Sequence, residues 1–195
     1  NSLLDISRLD VSGIKPDVRP LELQTLFERL AETFRRPAAD RRIALRFRSN
    51  TFWVASDAAL LERMLANLIS NALRYTNPGG RVLIAARHRG SQVQIEVRDN
   101  GIGIAQADQA EIFAEFYQVG NTAREHNKGL GLGLSIVDRL ARALNIQIGL
   151  RSRLGEGTTF SLRVTGSPPV FLSDANENTE ASAGNVHCIG DSEDM

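Results

Sequence analysis

Asp57-Ala-Ala-Leu-Leu-Glu-Arg-Met-Leu-Ala-Asn-Leu-Ile-Ser-Asn-Ala-Leu-Arg-Tyr75 reads as one amphipathic helix. Leu61, Leu65, Leu68 and Ala72 recur three or four residues apart and share a face, which Leu60 and Met64 widen. Asn77-Pro78-Gly79-Gly80 then stops the helix with turn residues. Asn67 and Asn71 stand four apart, so both amides project from one side, and Arg74 and Tyr75 follow one turn later on nearly that side. Asparagine is mediocre in helix interiors, so two in one helix ask for a reason.

Downstream of this helix, residues 81–89 and 92–98 read as a hairpin joined at Gly90-Ser91. Residues 99–128 are long, polar and irregular, with an aromatic patch at Phe113, Phe116 and Tyr117. Residues 132–144 return to helical periodicity, and 146–151 with 158–164 form a second hairpin around Gly155 and Gly157. Upstream, residues 21–40 carry Leu23, Leu26, Phe27, Leu30 and Phe34 at helical spacing. Ile43, Leu45 and Phe47 alternate as in a strand, and 51–54 is a second short strand candidate. Leu3, Leu4, Ile6 and Leu9 fit the last turns of an amphipathic helix that Ser12-Gly13 ends. Beyond Thr165 the composition changes, and Ser, Asn, Glu, Ala and Gly over 173–185 read as a flexible linker.

Length and composition bound the answer. The 195 residues suffice for one ordinary domain with flanking pieces. Hydrophobic residues make up 42% and charged residues 24%, as in a globular protein. Lys+Arg and Asp+Glu both number 23, so no global charge points to nucleic acid or a membrane surface, although a local anion site is compatible with net zero. The single cysteine, Cys188, excludes a disulfide framework within the chain and fits a reducing compartment. No apolar run approaches the roughly 18 residues that span a bilayer, and no signal peptide is evident. The chain reads as a piece of a longer protein.

Four segments carry candidate chemistry. The Asn67/Asn71 pair offers amide oxygens, hard neutral donors suited to Mg²⁺, and Arg74 can neutralise phosphate charge nearby; such a pair also occurs as ordinary hydrogen bonding within a fold. Asp99-Asn100-Gly101-Ile102-Gly103-Ile104 follows a strand, where a carboxylate can accept from an amino group on a base edge and bare glycines let a flat ring approach; it also reads as a plain Asp-Asn-Gly turn. Lys128-Gly129-Leu130-Gly131-Leu132-Gly133-Leu134-Ser135 leads into a helix, so exposed amides and the helix dipole make an anion site. It lacks the preceding strand of a dinucleotide fingerprint and the Lys-Ser/Thr ending of a P-loop. Gly155-Glu156-Gly157-Thr158-Thr159-Phe160 is a tight hairpin turn bearing a hydroxyl.

In this order and spacing the four resemble the N, G1, G2 and G3 boxes of the GHKL ATPase superfamily, and most closely its histidine kinase branch; Ile112-Phe113-Ala114-Glu115-Phe116-Tyr117 resembles that branch's F box. The resemblance covers residues 21–164. It implies a two-layer α/β sandwich of the Bergerat type, a mixed sheet with helices on one face, holding ATP and Mg²⁺ under a lid at about 105–128. It implies that Asn71 coordinates the metal and Asn67 supports it, with Arg74 on phosphate and Tyr75 beside the nucleotide. It further implies that Asp99 reads the adenine amine, with Gly101 and Gly103 shaping that wall and Thr158 helping through water. Lys128, Gly129, Leu130, Gly131, Leu132 and Gly133 would then close on the phosphates. Branches of the superfamily that hydrolyse ATP carry a glutamate base four residues before the metal-binding asparagine. That position here is Asn67, whose amide cannot take a proton from water.

The expected activity is therefore transfer of the γ-phosphate to a histidine on a helical hairpin, in two-component signalling, by positioning and charge neutralisation. The histidines present do not supply that acceptor: His88 falls in a strand, His126 in the lid and His187 in the tail. Residues 1–13 resemble the end of the hairpin, 14–166 the catalytic domain, 167–185 a linker and 186–195 either the first strand of a receiver domain or an unrelated acidic tail. Expected partners are ATP, the phosphoacceptor hairpin of the same or a sister kinase, and a receiver domain or response regulator; nucleic acid and membrane contact by this fragment are not expected. The family implies a cytoplasmic domain of a protein anchored in the bacterial inner membrane. Two competing readings are a regulatory nucleotide-binding module that pairs with another kinase and a self-sufficient ATPase, the latter opposed by Asn67.

Overall fold

The computed structural model describes residues 15–48, 51–117 and 131–169. Within them the order is β1 (Arg19–Glu22), α1 (Leu23–Asp40), β2 (Ala44–Arg48), β3 (Trp53–Ser56), α2 (Ala58–Tyr75), β4 (Arg81–Arg89), β5 (Gln92–Asp99), α3 (Gly133–Ala143), β6 (Gln147–Arg153) and β7 (Gly157–Thr165). Five strands form one mixed sheet in the order β2-β4-β5-β7-β6, in which β2 and β4 are parallel and the other neighbours antiparallel. The three helices cover one face of it, as the family resemblance implies.

The central helix α2 begins where the carboxylate of Asp57 accepts the backbone N–H groups of Ala59 and Leu60, both at 3.0 Å, satisfying two donors that a helix start leaves open. Its apolar face is the expected one: Leu61, Met64, Leu65 and Leu68 are almost wholly buried against Ile84, Ile95, Val97 and Leu162 of the sheet. Leu26 and Leu30 of α1 and Val137 and Leu140 of α3 complete the layer. This core fixes α2 on the sheet and leaves the Asn67/Asn71 flank half-buried at its edge.

The expected helix over 21–40 is shorter at its start. Leu21 and Glu22 belong to β1, which pairs antiparallel with β3, Leu21 opposite Val54. The helical pattern ran through them because Leu21 is apolar and precedes Leu23. Pairing with a strand more than thirty residues away holds Glu22 extended instead, and Pro20, which lacks an N–H, suits this two-stranded edge. The strand expected at 51–54 lies at Trp53–Ser56. The expected helix end at 1–13, the linker beyond Pro169 and the receiver-like strand at 186–195 lie outside the described residues. Among the described residues no helix is long and apolar enough to cross a membrane.

Candidate functional site

Three chain segments meet at the C-terminal end of α2. The first is α2 itself, which presents Asn71 and Tyr75 to a cavity of about 230 Å³. The second is the loop leaving β5. Asp99 ends that strand opposite Val82, and its Oδ1 accepts the backbone N–H of Gly101 at 2.9 Å and of Thr158 at 3.2 Å. Both of these bonds fall on Oδ1, which leaves Oδ2 as the acceptor for a ligand in the cavity. Burial pushes the Asp99 carboxyl above the usual carboxylate range, and the two backbone donors pull it partly back.

Two glycines hold this loop in place. A Cβ on Gly101 would lie 2.2 Å from the carbonyl oxygen of Tyr75, and the next residue, Ile102, donates its N–H to that same oxygen at 3.1 Å. Gly103 adopts φ +68°, and a Cβ there would lie 2.0 Å from the carbonyl oxygen of Arg153. The loop is thus tied to the end of α2 on one side and to the β6–β7 turn on the other, where Gly155 donates to Ile102 at 2.7 Å.

The third segment is the start of α3. Gly133 lies so close to α2 that a Cβ would come within 3.4 Å of Asn67 Oδ1 and 3.6 Å of both amide atoms of Asn71. Among the described residues no side chain caps this helix, and its first N–H groups lie at a positive helix end beside the two amides. Asn67 spends its own N–H on the Arg63 carbonyl at 2.8 Å, which turns its oxygen toward Gly133.

Ile102, Ile104, Ile112, Leu134, Leu154 and Phe160 supply the apolar walls. Phe113 packs edge-on to Phe160, and Tyr117, which donates its hydroxyl to Asp108 at 2.8 Å, lines the cavity from the loop side, while Phe116 is exposed. Glu115 pairs with Arg139 of α3 and ties this loop to the helix. The site therefore has a flat apolar slot ending in a carboxylate at one end and a helix N-terminus with two amides at the other.

Most of the expected residues converge here, and several do not. Asn71, Tyr75, Asp99, Gly103 and Thr158 line the cavity; Asn67, Gly101 and Gly133 frame it. Arg74 is exposed and outside the lining. Leu132 is buried with the core, and Gly131, at φ +69°, accepts the N–H of Phe116 at 3.2 Å. Lys128, Gly129 and Leu130 lie outside the described residues, as do His126 and His187; His88 stands on β4, edge-on to Phe52. Thr158 reaches Asp99 through its backbone N–H, while its hydroxyl is 2.9 Å from that of Ser152.

Ser152 had no motif to announce it. Its hydroxyl accepts the Ile104 N–H at 2.8 Å and reaches Thr158 and the Gly157 carbonyl, so it joins three parts of the wall. Gln109 bridges the carbonyls of Ile104 and Ser152, both at 3.0 Å. A serine or glutamine in a polar stretch gives no local signal of such a role.

Among the described residues no group of three His, Cys, Asp or Glu could hold a metal ion. The donor set would suit instead a hard cation bound mainly by phosphates and water, for which the Asn71 amide oxygen would be the protein ligand.

The sequence profile of the family described as histidine kinase-, DNA gyrase B-, and HSP90-like ATPase matches residues 56–167. The sensor-like histidine kinase SenX3 of Mycolicibacterium smegmatis is 34% identical over 90% of this chain and 46% of its own. The sensor protein kinase PmrB of Pseudomonas aeruginosa is 36% identical over 83% of this chain and 33% of its own. Among solved structures, full-length ShkA in complex with AMPPNP superposes with a TM-score of 0.75 at 28% identity, over 87% of this chain and 36% of that one. The chain thus spans less than half the length of these relatives.

Proposed function

Because the chain belongs to the histidine kinase-, DNA gyrase B-, and HSP90-like ATPase family, we propose that it binds Mg-ATP and supplies the γ-phosphate to a histidine on a helical hairpin, in two-component signalling. The observation that carries the reading is the two-ended cavity: Asp99 at the end of an apolar slot, and the N-terminus of α3 over Asn67 and Asn71. Adenine fits the slot, its amino group donating to Asp99 Oδ2. The phosphates then extend toward the amides of Gly133 and the residues after it, where N–H groups and the helix dipole favour negative charge.

Asn71 would hold Mg²⁺, which when bound neutralises phosphate charge and orients the transferred group. Asn67 stands where the hydrolytic branches of the resemblance place a base. Its amide offers no proton acceptor for water, so the bound nucleotide is kept for another nucleophile. That nucleophile is an imidazole nitrogen, which forms the N–P bond as the Pγ–O bond breaks and ADP leaves with the electron pair. In keeping with the names of its relatives, the whole protein would be a sensor whose catalytic domain works where ATP is, in the cytoplasm, with a response regulator or receiver domain downstream.

Calorimetric titration of the chain with a non-hydrolysable ATP analogue tests the first half. One-to-one binding that strengthens with Mg²⁺ is expected; no binding overturns the site. Adding a phosphoacceptor hairpin with ATP tests the second half: phosphohistidine is expected, and its absence despite tight binding leaves the domain a regulatory nucleotide binder.

A further inference from the structure

The face of the five-stranded sheet turned away from the helices is populated by arginine. Strand register puts Arg87, Arg89, Arg151 and Arg163 on it, around a shallow groove of about 430 Å³ that also includes Gln94 and Ser161. Arg46, Arg48, Arg81, Arg98 and Arg153 share the same face, and all nine arginines are exposed. Among the described residues this face carries one carboxylate, Glu96, which is buried and already shared by Arg87, Arg98 and Arg151. With Glu96 spread over three arginines and Arg153 paired with Glu156 of the adjoining turn, most of the nine positive charges are left uncompensated on this face and give it a strong positive potential.

The counter-charge lies elsewhere in the same chain. Residues 170–195 contain six carboxylates, Asp174, Glu177, Glu180, Asp191, Glu193 and Asp194, and no lysine or arginine. All 23 basic residues therefore precede Val170, where only 17 of the 23 acids remain, a surplus of six positive charges balanced by six negative ones in the last 26 residues. The net charge of zero is a cancellation between two separated regions.

We propose that the acidic segment 170–195 docks on the arginine face of its own sheet. The connection permits it. The described chain runs four residues past Thr165, the last residue of β7, to Pro169, with Gly166 and Ser167 bonded to Ser91 and Trp53; Thr165 pairs with Gln92, itself paired with Arg89. Two strand spacings, about 10 Å, separate Thr165 from Arg89. A 26-residue segment can extend up to roughly 85 Å, several times the roughly 20 Å width of five strands. Tethering gives an effective concentration on the order of millimolar, so weak charge pairs are enough to hold it.

Cys188 is the single cysteine, so a nitroxide attached there to the full chain reports where the segment lies. At about 0.01 M salt, amide signals of β4, β6 and β7 around Arg87, Arg89 and Arg163 should lose at least half their intensity. They should recover at about 1 M, as the screening length falls from about 30 to about 3 Å. Arg89→Gln with Arg163→Gln, which spares the Glu96 pairs, should restore most of the intensity with the rest of the spectrum unchanged. Asp174→Asn with Glu177→Gln and Glu180→Gln should do the same from the other side. Attenuation that is absent at low salt, or that falls on the helix layer, overturns the proposal. So does attenuation seen only between molecules when spin-labelled and isotope-labelled chains are mixed. Heparin binding that the segment's neutralisation leaves unchanged would likewise overturn it, assigning the face to an external polyanion.

Discussion

The backbone N–H of Thr158 donates to Asp99 Oδ1 at 3.2 Å, joining two residues 59 apart in the chain. With the Gly101 N–H on the same oxygen, the carboxylate is held in one orientation with Oδ2 free. Asp99→Asn keeps an oxygen for these backbone donors and turns the other position into an N–H₂ facing the adenine amine. ATP-analogue affinity should fall by roughly 1.5–3 kcal/mol, the scale for hydrogen bonds to a charged group, measured by calorimetry. Unchanged affinity would remove Asp99 from the nucleotide site.

The same substitution should not destabilise the fold at neutral pH. Burial raises the Asp99 carboxyl above its unfolded value of about 3.9, so the fold disfavours the charged form. Its contribution to stability is fully present below that value and is lost as pH rises through the raised one. Urea melts should therefore show Asp99→Asn at least as stable as wild type at pH 7, with the difference shrinking as pH falls through the raised value. A variant that is less stable at pH 7 would mean that the ionised carboxylate itself holds the loop.

Gly103 and Gly90 make a matched pair. Both have positive φ, +68° and +62°, but a Cβ on Gly103 would meet the Arg153 carbonyl at 2.0 Å while one on Gly90 would meet nothing within 4 Å. Gly90→Ala should cost about 1 kcal/mol, the left-handed penalty alone. Gly103→Ala adds the clash and should cost more than about 2 kcal/mol, with nucleotide affinity falling as the wall shifts. Chemical denaturation of the two variants checks the order.

Ser152→Ala removes a hydroxyl that serves Ile104, Gly157 and Thr158 at once. The Ile104 N–H is left without its acceptor in a half-buried site, which costs about 1–3 kcal/mol. Nucleotide affinity should fall with it, although Ser152 touches no ligand, because the wall carrying Ile104 loosens. A variant that loses stability but binds with full affinity would limit Ser152 to the fold.

Asn71→Ala tests the metal assignment. Analogue affinity with and without Mg²⁺ should converge, since outer-shell changes alone cost roughly 10–100-fold in metal affinity and loss of a ligand should cost no less. A surviving Mg²⁺ effect would assign the metal to phosphates and water only.

Local pattern made much of this protein legible. The period of α2 placed Leu61, Leu65 and Leu68 in the core, and hairpin chemistry located β4 with β5 and β6 with β7. The candidate site was legible because its glycines and carboxylate are constrained types: only a residue without Cβ fits against the Tyr75 and Arg153 carbonyls, and Asp99 ends a strand. Strand β1 was hidden because Leu21 prefixed a helical pattern without a break. Ser152 was hidden because nothing in its neighbours marks it as the partner of Ile104, 48 residues away.

By itself, then, the sequence determined most of the helices and strands and the buried face of each, since these follow from short-range sterics and the periodicity of apolar burial, while the candidate site residues came from four ordered motifs and the family they resemble. Only the tertiary structure decided that β2 runs parallel beside β4 and that the Gly133 helix end abuts Asn67 and Asn71. It also decided that the arginines of five strands share one open face. Each of these joins residues tens of positions apart through sheet register and backbone approach, which no local window of sequence contains.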